Sequence, residues 1–298
     1  MTQDTCTDVV VVGAGPAGMT TASCLAESGV RALLLDEHTA PGGQVYRSVE
    51  KVTDKRPADL NVLGSHYRSG SKAVERLHSS GAQYWPGTSV WEISAAEEPA
   101  LAVGVVRDGR ARMIQAGHIV LATGAMERPT PFPGWTLPGV MTVGAAQTLL
   151  KSSGLVPEGR IAVAGSGPLL YLYISQLIKA GKKPQVILDT RPRASLQTKL
   201  SVLAALTVDP ASMFRGLGWM REVRREIRVR ERVHRLRASG VEKLSSISYE
   251  SCDRQFTDEV DLLLVHDGVI PNTWLAMSAA PALVVMISTT LRKSTVLP

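Results

Sequence analysis

The opening of the chain alternates between short apolar runs and one glycine-rich turn. A continuous valine run at 9 to 12 is bounded by glycine, which is typical of a strand buried on both faces of a parallel sheet. Small residues after the turn predict a closely packed helix that ends at about Ser28. A second apolar run, 32 to 35, predicts another strand, which ends at Asp36. The pattern predicts an α/β fold.

The following part of the chain predicts one helix and several short strands. Residues 50 to 70 are polar and are predicted to be irregular, whereas residues 71 to 80 have helical spacing and precede Gly81, a natural helix end. The Asp108-Gly109 pair predicts a tight hairpin. The predicted strands are 90 to 93, 102 to 106, 113 to 116 and 119 to 121.

Prolines concentrated between 129 and 138 predict an extended linker that cannot be helical. After the linker the chain repeats its opening, with strands at 161 to 164 and 186 to 188 around a glycine turn and a helix. We therefore predict two Rossmann-like dinucleotide-binding domains, the second inserted in the first. The predicted domains are residues 1 to 128, residues 140 to 264, and a truncated or divergent return to the first domain over 265 to 298.

A complete G-x-G-x-x-G motif lies directly after the first strand and opens the first helix. Its residues are Gly13, Gly15, Pro16, Ala17 and Gly18. The first glycine permits a tight turn, the second lets the backbone approach a pyrophosphate, and the third permits close helix packing. The helix start supplies N–H groups and a positive dipole end. Asp36 follows Gly15 by twenty-one positions, where a carboxylate can hold a ribose hydroxyl. The motif predicts a dinucleotide site, with a purely structural glycine turn as the alternative.

The second unit carries a weaker form of the motif. Its corresponding residues are Gly165, Gly167 and Asp189. The third glycine position is Leu170, whose side chain is expected to hold the helix away from the strand. Arg191 and Arg193 could meet a 2′-phosphate, or they could be solvated surface residues. Two possibilities stay open: a second nucleotide, NAD(P) or ATP, or a nucleotide fold that has lost its ligand.

Composition and charge exclude several classes of protein. With 298 residues, 44% of them hydrophobic, the chain can bury a sizeable core and does not resemble a disordered or collagenous protein. No apolar stretch approaches the roughly 20 residues of a transmembrane helix, and the first residues lack a signal-peptide pattern, so we expect a cytoplasmic protein. We interpret the basic run at 215 to 237 as a strand with one solvated face, because Ile227, Val229 and Val233 alternate with charged residues. Nucleic-acid binding is the less favoured alternative.

Three longer stretches carry a resemblance to a known family. They are APGGQVYR (40 to 47), ATGAMERPTPFPGWTLPGVMTVGAAQ (122 to 147) and VAGSGPLL (163 to 170). The chain resembles the flavoproteins of the pyridine nucleotide-disulfide oxidoreductase type. More narrowly, it is similar to the FAD-containing subunits of opine oxidases, of hydrogen cyanide synthase and of heteromeric proline or hydroxyproline dehydrogenases.

The resemblance implies that FAD lies on the first unit and NAD(P) or another nucleotide on the second. It implies that the glycines of the first motif contact the FAD pyrophosphate and that Asp36 holds the adenosine ribose. The backbone of Val90 matches a position that meets adenine, although Val90 could be ordinary strand core. The other residues that match positions beside the cofactor are Gly42, Gly43, Gln44, Ala122, Thr123 and Gly124.

Two features depart from the family. Cys6, Cys24 and Cys252 form no C-x-x-C pair, so we expect reduced structural thiols and no disulfide reduction by internal cysteines. The match ends near Thr273, and residues 274 to 298 show no Gly-Asp segment and no evident strand-turn-helix plan. We interpret this tail as truncated or frame-altered, with a divergent tail as the alternative. If the tail is truncated, the first sheet lacks its closing strand, and the chain is then expected to bind FAD weakly.

The resemblance implies a flavoprotein subunit of a hetero-oligomer. The six histidines are scattered and show no acid-base constellation, so we expect this chain to relay electrons. A second flavoprotein subunit would then bind the amino acid, opine or amine and dehydrogenate it. Two alternatives remain: a free-standing NAD(P)H-dependent flavin reductase, and a nucleotide-binding scaffold subunit without turnover.

Overall fold

A computed structural model of the chain describes residues 5–95, 101–192, 210–279 and 285–286. The chain divides into two compact units. Unit 1 comprises Met1–Met126 and Pro271–Pro298, and unit 2 comprises Glu127–Ile270. The first predicted boundary, after residue 128, lies two residues beyond the end of the first segment at Met126. The second, after residue 264, lies six residues before the end of unit 2 at Ile270. The proline-containing linker belongs to unit 2.

Unit 1 is built on a mixed sheet. Its first six strands are β1 (Thr5–Val12), β2 (Ala32–Leu35), β3 (Gln83–Trp85), β4 (Thr88–Ala95), β5 (Leu101–Arg107) and β6 (Arg110–Leu121), in the spatial order β3-β2-β1-β6-β5-β4. Strands β3, β2, β1 and β6 run parallel, whereas β4, β5 and β6 pair antiparallel. The valines at the end of β1 are all buried, as a two-sided parallel strand requires.

Helices α1 (Pro16–Glu27) and α5 (Gly70–Ser79) of unit 1 pack on each other. The predicted hairpin is confirmed: Asp108 and Gly109 have φ of 51° and 70°, and Arg107 pairs with Arg110 across the turn. Two successive positive φ values match a turn that follows the right-handed twist of the strands.

Two predictions in unit 1 are wrong in detail, and one strand was missed. Residues 50 to 70 are not irregular, since they contain α2 (Val49–Lys55), α3 (Asp59–Leu63) and α4 (Ser65–Arg68). These helices bury only one or two apolar residues each, too few to give a clear period in a polar segment. The strands predicted at 113 to 116 and 119 to 121 are one strand, β6. Gly117 between them lies against β1, where a β-carbon would come within 3.2 Å of the Asp8 carbonyl oxygen. Strand β3 was not predicted at all.

Unit 2 follows a short strand, β7 (Ala125–Glu127), and contains a five-stranded parallel sheet. Its strands are β8 (Val140–Thr142), β9 (Ile161–Gly165), β10 (Val186–Asp189), β11 (Val229–Arg230) and, later in the chain, β15 (Leu262–His266), in the order β11-β10-β9-β15-β8. A separate antiparallel sheet holds β12 (His234–Ser239), β13 (Ser246–Ser251) and β14 (Arg254–Glu259). The helices are α6 (Val143–Ser153), α7 (Pro168–Lys179) and α8 (Pro210–Glu226). Strand β16 (Val269–Pro271) spans the end of unit 2 at Ile270 and pairs with β7.

The interpretation of the basic run as a strand is wrong. Its first half belongs to α8, whereas Val229–Arg230 forms β11 and the last residues, from His234, belong to β12. Val223 and Ile227 are both buried and are joined by a backbone hydrogen bond of 3.0 Å, so their spacing of four residues is helical. The alternation seen at 227 to 233 therefore belongs to a loop around one short strand.

The tail after Thr273 has more structure than the sequence indicated. Helix α9 (Trp274–Ser278) places Leu275 in the core of unit 1 together with Ala279. Strand β17 (Val285–Met286) pairs parallel with β6 at Val120 and Leu121. The expectation that a truncated tail leaves the first sheet without a strand beside β6 is therefore wrong. The three cysteines are free thiols, and each of them is exposed. Within the described ranges, no helix is long and apolar enough to cross a membrane.

Candidate functional site

The first glycine turn is closely packed except at its middle glycine. Gly13 has φ of 103°, and a β-carbon there would overlap the carbonyl oxygen of Ala122. A β-carbon at Gly18 would overlap the carbonyl oxygen of Gly13. At Gly15, by contrast, a β-carbon would meet no atom within 4 Å. The turn therefore needs glycine at its ends for packing, and the space beside Gly15 is open.

The start of α1 next to this space is not neutralised by the protein. Gly15 is the N-cap residue, Pro16 occupies the first turn, and Ala17 follows it. No side chain caps the helix and the first turn holds no acidic residue. The free N–H groups and the dipole end can therefore accept an anionic group.

Two further segments enclose the turn. Gly42 donates its N–H to the carbonyl of Ala14 at 2.8 Å, and a β-carbon at Gly43 would lie 2.8 Å from Cα of Gly15. Both glycines have positive φ, 124° and 55°, so the segment can approach the turn this closely only without side chains. Gln44 follows them and is exposed.

The segment after β6 forms another wall. Ala122 donates its N–H to the Val12 carbonyl at 2.8 Å, which holds it against the glycine turn. Thr123 Oγ1 donates to the Asn272 carbonyl at 2.9 Å, and the N–H of Asn272 donates to the Gly124 carbonyl at 3.0 Å. The chain thus returns to unit 1 beside this segment.

Asp36 is buried and links β2 to the glycine turn. Its Oδ2 accepts the N–H of Ala14 at 2.5 Å, and its Oδ1 accepts the N–H of His38 at 2.8 Å and Nδ1 of the same residue at 3.0 Å. A carboxylate has about four acceptor positions. Asp36 therefore supports the turn, a contribution that the sequence did not reveal, while retaining capacity for one more donor.

Val90 lies in β4, opposite Val105 of β5, and packs against the core of unit 1. None of the described contacts brings Val90 to the glycine turn. Its predicted contact with adenine stays a prediction.

In unit 2 the equivalent turn is closed by a different strand. Gly165 has φ of 132°, and a β-carbon there would overlap the carbonyl oxygen of His266 at the end of β15. The N–H of Ser166 donates to the same carbonyl at 2.8 Å. Gly167 has φ of 102° and is the N-cap of α7, which has no side-chain cap. Leu170, at the third glycine position, is fully buried.

The carboxylate of Asp189 in unit 2 accepts more hydrogen bonds than that of Asp36, including several from a guanidinium. Arg191 donates to its carboxylate from the backbone at 3.0 Å and from the guanidinium, and the Tyr171 hydroxyl donates at 3.3 Å. Burial acts to raise the pKa of Asp189, but the hydrogen bonds from Arg191 outweigh it and hold the pKa below its usual value. Arg224 lies 4.0 Å away. Arg193, the other arginine singled out by the sequence, lies outside the described residues.

We expect acid to destabilise unit 2 through Asp189. The folded pKa lies below the unfolded value of about 3.9, so the carboxylate stabilises the fold above that pH, and this contribution is lost as the pH falls. Asp189→Asn should therefore lower Tm at neutral pH by roughly 2 to 6 °C and flatten the fall of Tm between about pH 5 and 3. Thermal melts across pH check this. The exposed Asp108→Asn is the control, and identical pH profiles for Asp189→Asn and the native chain would contradict the expectation.

A cavity of about 330 Å³ lies in unit 2 at the carboxyl ends of β8, β9 and β15. Phe132, Trp135 and Met141 contribute apolar walls, and Glu127 and His266 contribute a polar pair. Ligands of parallel α/β sheets bind at this edge, where the strand order reverses. Glu127 and His266 were not predicted from the sequence. The place of His266 at the end of a predicted strand, beside a glycine turn, was the available signal.

His266 is buried, and its partner Glu127 is partly buried. Nδ1 of His266 lies 2.7 Å from Oε1 of Glu127, and Oε2 accepts the N–H of Gly144 in α6 at 2.8 Å. Burial acts to raise the pKa of Glu127, but hydrogen bonds, above all from His266, hold it below its usual value. Glu127 is therefore a carboxylate at neutral pH. No cluster of metal-ligating side chains occurs among the residues with described structure.

Two Rossmann-like units, each with a glycine turn between a buried strand and a helix, define a two-domain dinucleotide-binding oxidoreductase. The chain belongs to the pyridine nucleotide-disulphide oxidoreductase family, whose model matches residues 7–285. Membership implies FAD and NAD(P) binding, and the resemblance seen in the sequence is confirmed. The open space beside Gly15 and the uncapped helix behind it fit the pyrophosphate of FAD.

The relatives share a role as subunits of larger enzymes. The chain is 38% identical over 276 residues to an opine oxidase subunit of Agrobacterium tumefaciens (strain Ach5), covering 91% of this chain and 54% of the relative. It is 39% identical over 172 residues to hydrogen cyanide synthase subunit HcnB of Pseudomonas aeruginosa, covering 58% of this chain and 36% of the relative. The chain spans about half the length of the opine oxidase subunits that it matches.

A solved structure supports the fold. L-proline dehydrogenase from P. horikoshii superimposes with a TM-score of 0.63 at 19% identity, covering 94% of this chain and 46% of that chain. At this identity the likeness shows the fold alone.

Proposed function

We propose that the chain is an FAD-containing subunit that relays electrons during dehydrogenation of an amino acid, an opine or a related amine. The observation that carries the proposal is the open space beside Gly15, enclosed by Gly43 and Ala122 and supported by Asp36. The relatives named as oxidase or synthase subunits support a heteromeric assembly.

The residues of unit 1 divide the work of holding FAD. The N–H groups after Gly15 bind the pyrophosphate, while Gly13 and Gly18 keep the turn tight enough to present them. Asp36 holds the turn through Ala14 and accepts a ribose hydroxyl with its remaining capacity. The bound flavin supplies the redox chemistry, and the protein supplies position and electrostatics.

The substrate chemistry belongs to a second flavoprotein subunit in this proposal. Around the Gly15 turn, the described residues offer one histidine, His38, and it already pairs with Asp36. A group engaged in this way is a poor candidate for moving a substrate proton. The partner subunit therefore binds the amine and takes the hydride, and this chain passes the electrons on.

Asp36→Ala should weaken both the turn and FAD binding. Removing the carboxylate leaves the N–H groups of Ala14 and His38 without their acceptor, so we expect the free energy of unfolding to fall by about 1 to 3 kcal/mol. FAD affinity should fall by a similar amount, since the ribose also loses its partner. Denaturant unfolding of the flavin-free protein and an FAD titration check the two effects. The neighbouring exposed carboxylate gives the matched control, Glu37→Ala, which should change neither.

Co-expression with the product of the adjacent gene, the candidate second subunit, tests the assembly. We expect the two chains to purify together, and an opine or proline added without oxygen to bleach the flavin absorbance only when both are present. Bleaching of this chain alone by NADH would instead favour a free-standing flavin reductase. Stable purification of this chain with no affinity for that gene product would contradict the proposed assembly.

A further inference from the structure

The basic run at 215 to 237 in unit 2 holds the whole positive excess of the chain. It contains nine arginines and three glutamates, an excess of six positive charges. The full chain, with 33 Lys and Arg against 27 Asp and Glu, has the same excess, so the rest of the chain is neutral overall. A charge excess concentrated in one segment produces a local positive potential, which attracts acidic partners.

Three exposed arginines of this run follow the spacing of one helix face. Arg221 and Arg225 lie four residues apart in α8, and Arg228 follows three residues later, just after the helix ends. Val223 and Ile227 form the opposite side of the helix, which is buried. We call these three arginines the arginine stripe. The stripe is therefore a solvent-facing row of cations backed by a packed helix.

The protein itself does not neutralise the arginine stripe. Among the residues that the structure describes, no carboxylate forms an ion pair with any of the three arginines. Like charges four residues apart destabilise a helix, so the stripe is a cost that an anionic partner would remove. The three glutamates of the run are engaged with other residues: Glu222 with Ser175, Glu226 with Lys183 and Glu231 with Arg224.

The stripe suits the carboxylates of a folded protein better than the backbone of a nucleic acid. Each guanidinium presents a planar fork of N–H donors that can pair with both oxygens of a carboxylate. Glu222 and Glu226 directly follow Arg221 and Arg225 on the same helix. These carboxylates would oppose the closely spaced charges of a phosphate backbone. A folded protein can instead place separate carboxylates opposite the individual arginines.

We propose that the arginine stripe docks an acidic face of a partner protein, and that this partner is the second subunit of the assembly. The inference rests on the proposed function for the identity of the partner. Complementary charges act mainly on the rate of encounter, because they steer two diffusing proteins into contact. The association should therefore depend on salt, since ions screen exposed charges beyond about 10 Å at 0.1 M ionic strength.

Surface plasmon resonance of the full chain, saturated with FAD, against the product of the adjacent gene provides the test. We expect the triple variant Arg221→Glu, Arg225→Glu, Arg228→Glu to lower the association rate constant at least about tenfold and to flatten its dependence on salt between about 0.05 and 0.5 M. The matched control makes the same change in net charge with three exposed cations of unit 1 and should stay within about threefold of the native rate. Its substitutions are Lys55→Glu, Arg68→Glu and Lys72→Glu.

Four results would overturn the proposal: native association by the triple variant, an equal loss in the control, no association of the native chain, or tight binding of a duplex oligonucleotide through the same arginines. If the triple variant does not fold by circular dichroism, glutamine at the same three positions removes the charge without reversing it and takes its place. Association is measured without substrate, so it is distinguishable from turnover. Association without flavin bleaching would support the docking surface and contradict only the electron relay.

Discussion

Gly15→Val is expected to yield a folded protein that no longer retains FAD. The backbone of Gly15 has φ of −71°, which any residue can adopt, and a β-carbon there meets no protein atom within 4 Å. The valine side chain would instead fill the open space assigned to the pyrophosphate. We expect FAD affinity to fall at least about a hundredfold, or roughly 3 kcal/mol, with flavin-free stability within about 1 kcal/mol of the native chain.

Flavin absorbance after gel filtration and thermal melting of the flavin-free protein measure the two quantities. Gly216→Val is the control, because a β-carbon at Gly216 in α8 also meets no atom within 4 Å and lies in unit 2. That variant should keep its flavin. A Gly15→Val protein with the native amount of bound FAD would remove the assignment of this turn.

Gly18→Ala, unlike Gly15→Val, is expected to destabilise the fold itself. A β-carbon at Gly18 would overlap the carbonyl oxygen of Gly13, which belongs to the backbone and cannot move without shifting α1 away from the turn. Overpacking of this kind costs about 3 kcal/mol, and we expect Tm to fall by roughly 5 to 10 °C. Flavin should be lost as well, because the N–H groups of α1 move with the helix.

Melting of the flavin-free variant separates this effect from ligand loss. Gly216→Ala serves as its control and should leave Tm unchanged or slightly higher, since alanine is the better helix former where there is space. If Gly18→Ala melted with the native chain in the absence of flavin, close packing at this turn would not be a source of stability.

The sequence identified those parts of the fold that depend on neighbouring residues. Strand β2 occupies the predicted residues 32 to 35. It was predictable because a short apolar run bounded by polar residues is typical of a buried strand. The Asp108-Gly109 turn was predictable since few residue pairs adopt two positive φ values. The first glycine motif was predictable for the same reason, as strand, turn and helix are adjacent in the chain.

The elements that the sequence missed depend on distant contacts. Glu127 and His266 are 139 positions apart, and only the return of β15 beside β9 brings them together. Helix α8 was missed because its basic surface obscured the helical spacing of Val223 and Ile227. The contribution of Asp36 to the glycine turn was hidden because the same residue type at that place predicts a ribose contact.

The tail shows the same limit. Residues 274 to 279 lack the expected motif, yet Leu275 and Ala279 complete the core of unit 1. Strand β17 consists of Val285–Met286, and a two-residue strand has no periodicity to recognise. Its position is defined by pairing with β6.

Equilibrium titration of the flavin-free chain with FAD tests the central claim most directly. We expect saturable binding of one FAD per chain, with the flavin fluorescence changing in the native protein and not in Gly15→Val. Binding should survive His266→Ala, because that residue belongs to unit 2. A native chain that is folded by circular dichroism but takes up no FAD, or one whose FAD binding is unaffected by Gly15→Val, would contradict it.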